Sequence, residues 1–262
     1  MAPSHLEARA KEFSALHVAH DPLIVTNVWD VATASAAAER EDCKALATAS
    51  YAIAATLGVE DDDLTLEDNL AVAARIAKVA DHIGKPLTVD LQSGYGDRLE
   101  EAVRRLVEIG VVGCNLEDKD TDSENLYEPQ EAAGRVLRVR AAAEEAGCSE
   151  FVVNARTDVL LMGGTVEDAI ERGRAYLAAG AMTIFVWGGS RRGGMTRAEV
   201  EKVTAGLNGR VSVKMNLRQQ DPESLTATQL AEIGVARISC GPGLWHAAMA
   251  AFRREVDEVM SR

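Results

Sequence analysis

The chain has 262 residues, 47% hydrophobic and 26% charged, which suits a sizeable globular core and excludes a disordered or low-complexity protein. Its net charge of −13 argues against nucleic acid or an anionic membrane surface as the main partner. No run reaches the length of a membrane span, and residues 1–20 lack the apolar stretch of a secretory signal, so a cytoplasmic protein is expected.

Short apolar runs alternate with amphipathic helices along the whole chain. Residues 4–18 read as an extra helix ahead of the repeat. A first strand at 23–26 leads to a helix over 31–39, and a second strand at 45–48 leads through an acid-rich loop to a long helix over 66–83. The third strand, Leu87-Thr88-Val89-Asp90-Leu91, ends in Gln92-Ser93-Gly94-Tyr95-Gly96, where two glycines signal a tight turn. Its helix, 99–109, spaces Leu99, Val103, Leu106 and Val107 on one face. Strand 111–116 is followed by a helix over 130–146 that stops at Gly147, and strand 151–155 by a helix over 166–179 that stops at Gly180. Strand 183–186, helix 197–207, strand 211–215, helix 227–233, strand 235–239 and a last helix over 244–259 complete the chain. Eight even strand–helix units without a linker point to one (β/α)8 TIM barrel domain over 1–262; a doubly wound open sheet is the alternative. The cysteines, Cys43, Cys114, Cys148 and Cys240, form no C-x-x-C pair and fit a reduced protein better than a disulfide scaffold or zinc site.

Polar and ionisable residues collect at the strand ends. Asn27 and Asp30 follow strand one, Thr48 and Ser50 strand two. Asp61 lies in the acidic loop, Asp90 and Gln92 end strand three, Glu117 strand four, Arg156 strand five and Asn216 strand seven. In a barrel these ends meet at one mouth, where active sites are built. Asp61, Asp90 and Glu117 have the oxygen chemistry of a magnesium site, and Arg156 offers a fork for a carboxylate or phosphate. Each acid also has a structural reading: Asp30, Asp118 and Asp158 suit helix caps, and Asp61-Asp62-Asp63 alone would be a solvated charge run. His246 reads as a packed or capping histidine before a base. The glycine-rich Gly188-Gly189-Ser190-Arg191-Arg192-Gly193-Gly194 lacks the full phosphate-loop pattern and reads as a surface loop.

In order, Asn27-Val28-Trp29-Asp30, Thr48-Ala49-Ser50-Tyr51, Leu57-Gly58-Val59-Glu60-Asp61, Asp90-Leu91-Gln92-Ser93-Gly94-Tyr95-Gly96, Glu117-Asp118-Lys119 and Asn154-Ala155-Arg156-Thr157-Asp158 resemble the isocitrate lyase/phosphoenolpyruvate mutase family over residues 23–248. The resemblance implies a Mg2+-dependent enzyme acting next to a 2-oxo acid through a pyruvate-type enolate. It implies that Asp90 and Gln92 serve the metal, that Asp61 and Glu117 bind its waters, and that Arg156, Glu117, Asn125 and Asp61 form the catalytic set. Asn27, Trp29, Asp30, Thr48, Ala49, Ser50, Tyr51 and Asn216 would contact the small-molecule carboxylate substrate. It also implies a homo-oligomer, dimer or tetramer, in which the last helix is exchanged between subunits.

Two departures shape the expectation. Gln92 stands where the family pattern D-x-D-[ST]-G-Y-G has a second Asp, removing one negative charge. The lyase loop K-x-C-G-H is replaced by Ser123-Glu124-Asn125-Leu126-Tyr127, which lacks the thiol acid, and of the mutase pattern K-x-N-S only Asn125 fits. A decarboxylase, hydrolase or C–C lyase of a small 2-oxo or dicarboxylic acid is therefore expected. The alternatives are a phosphoenolpyruvate mutase-like P–C bond enzyme and a non-catalytic carboxylate-binding barrel.

Overall fold

The apolar alternation closes into a cylinder. In the computed structural model, which describes residues 3–121, 123–217, 221 and 224–261, eight parallel strands pair in chain order and the last pairs with the first. They are β1 (Leu23–Val28), β2 (Ala45–Thr48), β3 (Leu87–Asp90), β4 (Gly113–Glu117), β5 (Val152–Thr157), β6 (Thr183–Val186), β7 (Val211–Lys214) and β8 (Arg237–Ser239). The helices are α1 (Pro3–Ala15), α2 (Val31–Ala38), α3 (Ser50–Leu57), α4 (Leu66–His82), α5 (Leu99–Glu108), α6 (Pro129–Glu145), α7 (Val166–Ala178), α8 (Arg197–Gly206), α9 (Ala227–Ile233) and α10 (Gly243–Met260). The expected (β/α)8 barrel is the fold.

Register decides which side chains face the axis. Glu117, Arg156, Phe185, Ser212 and Arg237 are successive Cα partners from β4 to β8. Asp90, Asn115, Asn154 and Thr183 are successive partners from β3 to β6. Partners in one parallel row point the same way, so these rows set polar groups inside the barrel. Outward-facing apolar residues pack under the helices; Leu99, Val103 and Leu106 of α5 are fully buried, and each such leucine contributes about 1.5–3 kcal/mol by leaving water. Phe13 of α1 plugs the N-terminal end of the cylinder: a Cβ added to Gly113 would lie 3.0 Å from its Cε1.

Most predicted bounds hold within two residues. Two differences have physical causes. Residues 50–57, expected as part of a loop, form α3, which Gly58 ends in the left-handed region at φ 76°. The first helix ends at Ala15 rather than residue 18, because Val18 and Asp21 pair in a small antiparallel bridge. The last helix begins at Gly243 and reaches Met260, with Gly243 its one buried residue. All four cysteines are free and buried.

Candidate active site

The turn after β3 is held in an unusual backbone conformation. Gln92, Gly94, Tyr95 and Gly96 all have positive φ, at 50°, 85°, 57° and 61°. Two of these are not glycine, so the surroundings must over-determine the turn. They do. Arg135 Nη2 donates to the Ser93 carbonyl, Asn69 Nδ2 donates to the Asp90 carbonyl at 2.9 Å and to the Tyr95 hydroxyl at 2.8 Å, and the Ser93 and Thr121 hydroxyls bond at 2.8 Å. A Cβ on Gly94 would collide with Leu99 Cδ1 and come within 3.1 Å of Leu116 Cδ1.

That turn fixes Asp90. Its N–H donates to Thr48 Oγ1 at 2.8 Å. Its Oδ2 accepts from the Ser50 N–H at 3.3 Å and the Ser50 hydroxyl at 3.2 Å. Helix α3 has no side-chain cap at Ala49; the Asp90 carboxylate, 40 residues away in sequence, meets the positive end of the helix instead. The other carboxylate oxygen, Oδ1, is buried with no hydrogen-bond partner among the described residues. Burial first, and the Asp90 charge second, push the Asp61 carboxyl up to about 6. The Gln92 amide braces the acidic turn: its Nε2 donates to the Asp61 carbonyl at 2.7 Å and to Asp61 Oδ1 at 3.2 Å.

Arg156 is clamped between two acids. Nε and Nη2 bind both oxygens of Asp158 at 2.8 and 3.0 Å, and Nη1 donates to Glu117 Oε1 at 2.6 Å. Burial would lower its pKa, but the charges of Glu117 and Asp158 outweigh that and hold it up. Glu117 is pushed well above the carboxylate range, chiefly by burial against the pull of Arg156, with Asp158, Asp90 and Asp61 adding to the rise. Asp118 is no cap: it accepts from Tyr176 at 2.7 Å, Arg172 at 3.2 Å and the Asp158 N–H at 2.9 Å. Asp158 likewise serves Arg156 rather than a helix end. Asp30 is a cap, in a reciprocal pair with Thr33 at the start of α2.

A cavity of about 500 Å³ opens at the C-terminal mouth. Of the expected residues it brings together Asn27, Ala49, Ser50, Tyr51, Asp61, Asp90 and Arg156. Several expected residues stand outside its lining. Trp29 and Thr48 are buried, Thr48 beneath Asp90 and Trp29 in a small cluster with Ile53 and Leu64. Gln92 and Glu117 are hydrogen-bonded to Asp61 and Arg156 of the lining. Asn216 bonds Lys214 at 2.7 Å, the Gly193 carbonyl at 3.1 Å and Asp221 at 3.2 Å. Asn125 is exposed, its Nδ2 bonded to the Ser123 carbonyl at 2.9 Å.

The rest of the lining was not foreseen. Asn115 stands beside Asp90 on β4, and the far side holds Phe185, Trp187, Lys214, Ser239 and Gly241, with His246 at the rim beside Tyr51. Burial lowers the pKa of Lys214, and burial followed by the Lys214 charge lowers that of His246. The available signal was a polar residue inside an apolar strand: Asn115 follows Cys114 in β4, and Lys214 follows Val213 in β7. Asn27 ties the walls together, accepting from the Cys240 and Gly241 N–H groups at 2.9 Å each and donating to the Thr48 carbonyl at 3.1 Å.

Among the described residues no three His, Cys, Asp or Glu side chains stand close enough to enclose a metal. The donor set fits an ion that keeps most of its own water: one free, buried carboxylate oxygen on Asp90, with Asp61 and Glu117 within electrostatic reach. That is the habit of magnesium.

Residues 13–260 match the sequence profile of the phosphoenolpyruvate phosphomutase family. The chain belongs to that family. It is thus an enzyme whose relatives are mutases and lyases, as its motifs suggested. Among solved structures, a putative phosphonomutase from Burkholderia cenocepacia J2315 superposes with a TM-score of 0.86 at 35% identity, covering 97% of this chain and 99% of that one. Oxaloacetate acetylhydrolase with its product oxalate superposes with a TM-score of 0.83 at 25% identity, covering 96% and 86%. The 2-methylisocitrate lyase of Escherichia coli K12 is 29% identical over 188 residues, 69% of this chain and 62% of the lyase. Among the described residues of this family member, no helix is long and apolar enough to cross a membrane.

Proposed function

We propose that the protein is a magnesium-dependent lyase-type enzyme that makes or breaks a C–C bond of a small 2-oxo acid through a pyruvate-type enolate. The observation that carries this reading is the buried, unpartnered Oδ1 of Asp90 inside a carboxylate-lined cavity. A carboxylate oxygen buried without a partner is costly, and a cation offsets the cost. Asp90 would hold magnesium directly, with Asp61 and Glu117 bonding its waters. When bound, the ion supplies positive charge where enolate oxygen develops.

The chain's own groups do the rest. Arg156 has five N–H donors, of which three are engaged by Glu117 and Asp158. The remaining two are available to substrate. The first turn of α3, through Ala49, Ser50 and Tyr51, presents the positive end of a helix to a substrate carboxylate. Phe185 and Trp187 exclude water from one side. No cysteine stands in the loop at 119–127, so the protein would not use the thiol acid of the lyase pattern. The relatedness to a putative phosphonomutase favours a second reading, a P–C bond enzyme; formation of a phosphonate from phosphoenolpyruvate would establish it over the first.

We also infer a homo-oligomer. Phe252, Val256, Val259 and Met260 form an exposed apolar stripe on α10, the kind of face a second subunit covers.

The deciding experiment is thermal unfolding with oxalate, a stable mimic of the pyruvate enolate, with and without magnesium. A ligand of the folded state at a hundredfold excess over its Kd stabilises it by about 2.7 kcal/mol. A rise that needs both additions supports the enolate site. No rise with either would remove it.

A further inference from the structure

We propose that Lys214 binds the second carboxylate of a dicarboxylic 2-oxo acid and thereby sets the substrate class. The inference rests on the enolate reading of the cavity and deepens it. In an eight-strand ring, β3 and β7 lie four strands apart, on opposite walls. Asp90 is the last residue of β3 and Lys214 the last of β7. A substrate whose 2-oxo end sits at Asp90 and Arg156 therefore extends towards Lys214.

The local structure keeps the ammonium at the cavity. Gly241 has φ 51°, and a Cβ there would approach Lys214 Cε at 3.2 Å and Cδ at 3.3 Å, so the lysine stem lies over the bare glycine backbone. Asn27 pins that backbone through the Cys240 and Gly241 N–H groups. Lys214 Nζ donates to Asn216 Oδ1 at 2.7 Å and stands 5.2 Å from the centroid of the Trp187 ring. Both are neutral partners; the Asp221 carboxylate acts on the ammonium from beyond Asn216, whose Nδ2 donates to it at 3.2 Å. No salt bridge engages Lys214 among the described residues, whereas Arg156, the other cation of the cavity, is already held by two acids. An ammonium partly withdrawn from water and bonded to a neutral amide gains most from an incoming carboxylate. A methyl group in the same place would leave it unmatched.

The test compares two probes of equal chain length in the presence of magnesium: 3,3-difluorooxaloacetate, which carries the second carboxylate, and 2-oxobutanoate, which ends in a methyl. Oxalate serves as a third arm that fills only the enolate end. Wild type should bind the dicarboxylate on the order of 10- to 100-fold more tightly than 2-oxobutanoate, the range expected for one charge-assisted contact. Lys214→Met should lose that preference while keeping its oxalate affinity, and Lys214→Arg should restore part of it. Melting without ligand confirms that both variants fold. If Lys214→Met retains the preference while oxalate still binds, the role of Lys214 is overturned and the enolate site stands. If wild type binds no oxalate, the enolate reading fails and this proposal falls with it.

Discussion

Arg237 Nη2 donates to Asn115 Oδ1 at 3.3 Å across the inside of the barrel, from β8 to β4. A guanidinium can only donate, so Asn115 must turn its oxygen downward. Asn154 Nδ2 donates to the same oxygen at 2.8 Å, and Thr183 fixes Asn154 by donating to its Oδ1 at 2.7 Å. The Asn115 N–H2 is thereby turned to the cavity that Asn115 lines. Arg237 is 1% exposed, and its Nε and Nη1 have no hydrogen-bond partner among the described residues. Burial lowers its pKa to about 10, which leaves it charged at neutral pH. So sparsely bonded a buried charge costs stability. Arg237→Met is therefore expected to hold or raise Tm while weakening oxalate binding about tenfold, and Asn115→Leu to match that loss. A lower Tm with unchanged oxalate affinity would make Arg237 purely structural.

Asp90→Asn tests the metal reading from the side of stability. The amide oxygen can still accept from Ser50, as Oδ2 does now. The amide N–H2 would replace the unpartnered Oδ1, and a charge that raises Asp61 and Glu117 would vanish. The metal-free variant should be as stable as wild type or about 1 kcal/mol more so, since one repulsive buried charge is gone. It should show no magnesium-dependent oxalate shift and no turnover. Retained turnover would exclude Asp90 as the metal-holding residue.

Much of this arrangement was legible before the fold. Strand periodicity and glycine stops located all eight units, because a parallel barrel buries its strands on both faces. Asp90 and Arg156 were visible as charges at strand ends, and Asp61 as part of the acidic loop. Helix α3 was not, because its N-cap is Ala49 and the carboxylate that meets its first turn is Asp90 from another strand; its Ala-rich body and Gly58 were the neglected signs. Asn115 and Lys214 were missed because strand alternation alone does not say which face looks into the mouth. That is settled by the register of Asn115 with Asp90 and of Lys214 with Ser239.

His17 gives an acid limb to the stability curve. Burial, then the charge of Arg237, lowers its pKa from 6.5 to about 3, while Nδ1 donates to the Phe13 carbonyl at 2.8 Å. The unfolded chain binds this proton below about pH 6.5 and the folded chain only near pH 3. Between those values the unfolded state holds more protons, so stability is complete above pH 6.5 and falls as pH drops towards 3. The slope is at most about 1.4 kcal/mol per pH unit. His17→Asn keeps a donor near Phe13 and should flatten this limb in urea titrations at pH 7, 6, 5 and 4. Equal slopes in wild type and variant would show that other groups set the acid sensitivity.

The exposed stripe on α10 makes the last prediction. Phe252, Val256, Val259 and Met260 recur at helical spacing, and Phe252 is 62% exposed. The helix fully buries Gly243, and Leu244 and Trp245 pack partly buried against the Trp29 cluster, all in its first turn, so its distal turns gain little from the chain that carries them. Covering a helix face of this kind is what makes subunit association favourable. Sedimentation should therefore show a dimer or tetramer, and Phe252→Glu, which puts a charge in the stripe, should shift it towards monomer. Because the first turn of α10 also brings His246 to the cavity rim, dissociation should weaken oxalate binding as well. A wild-type monomer at micromolar concentration would end the subunit reading and leave the stripe unexplained by association.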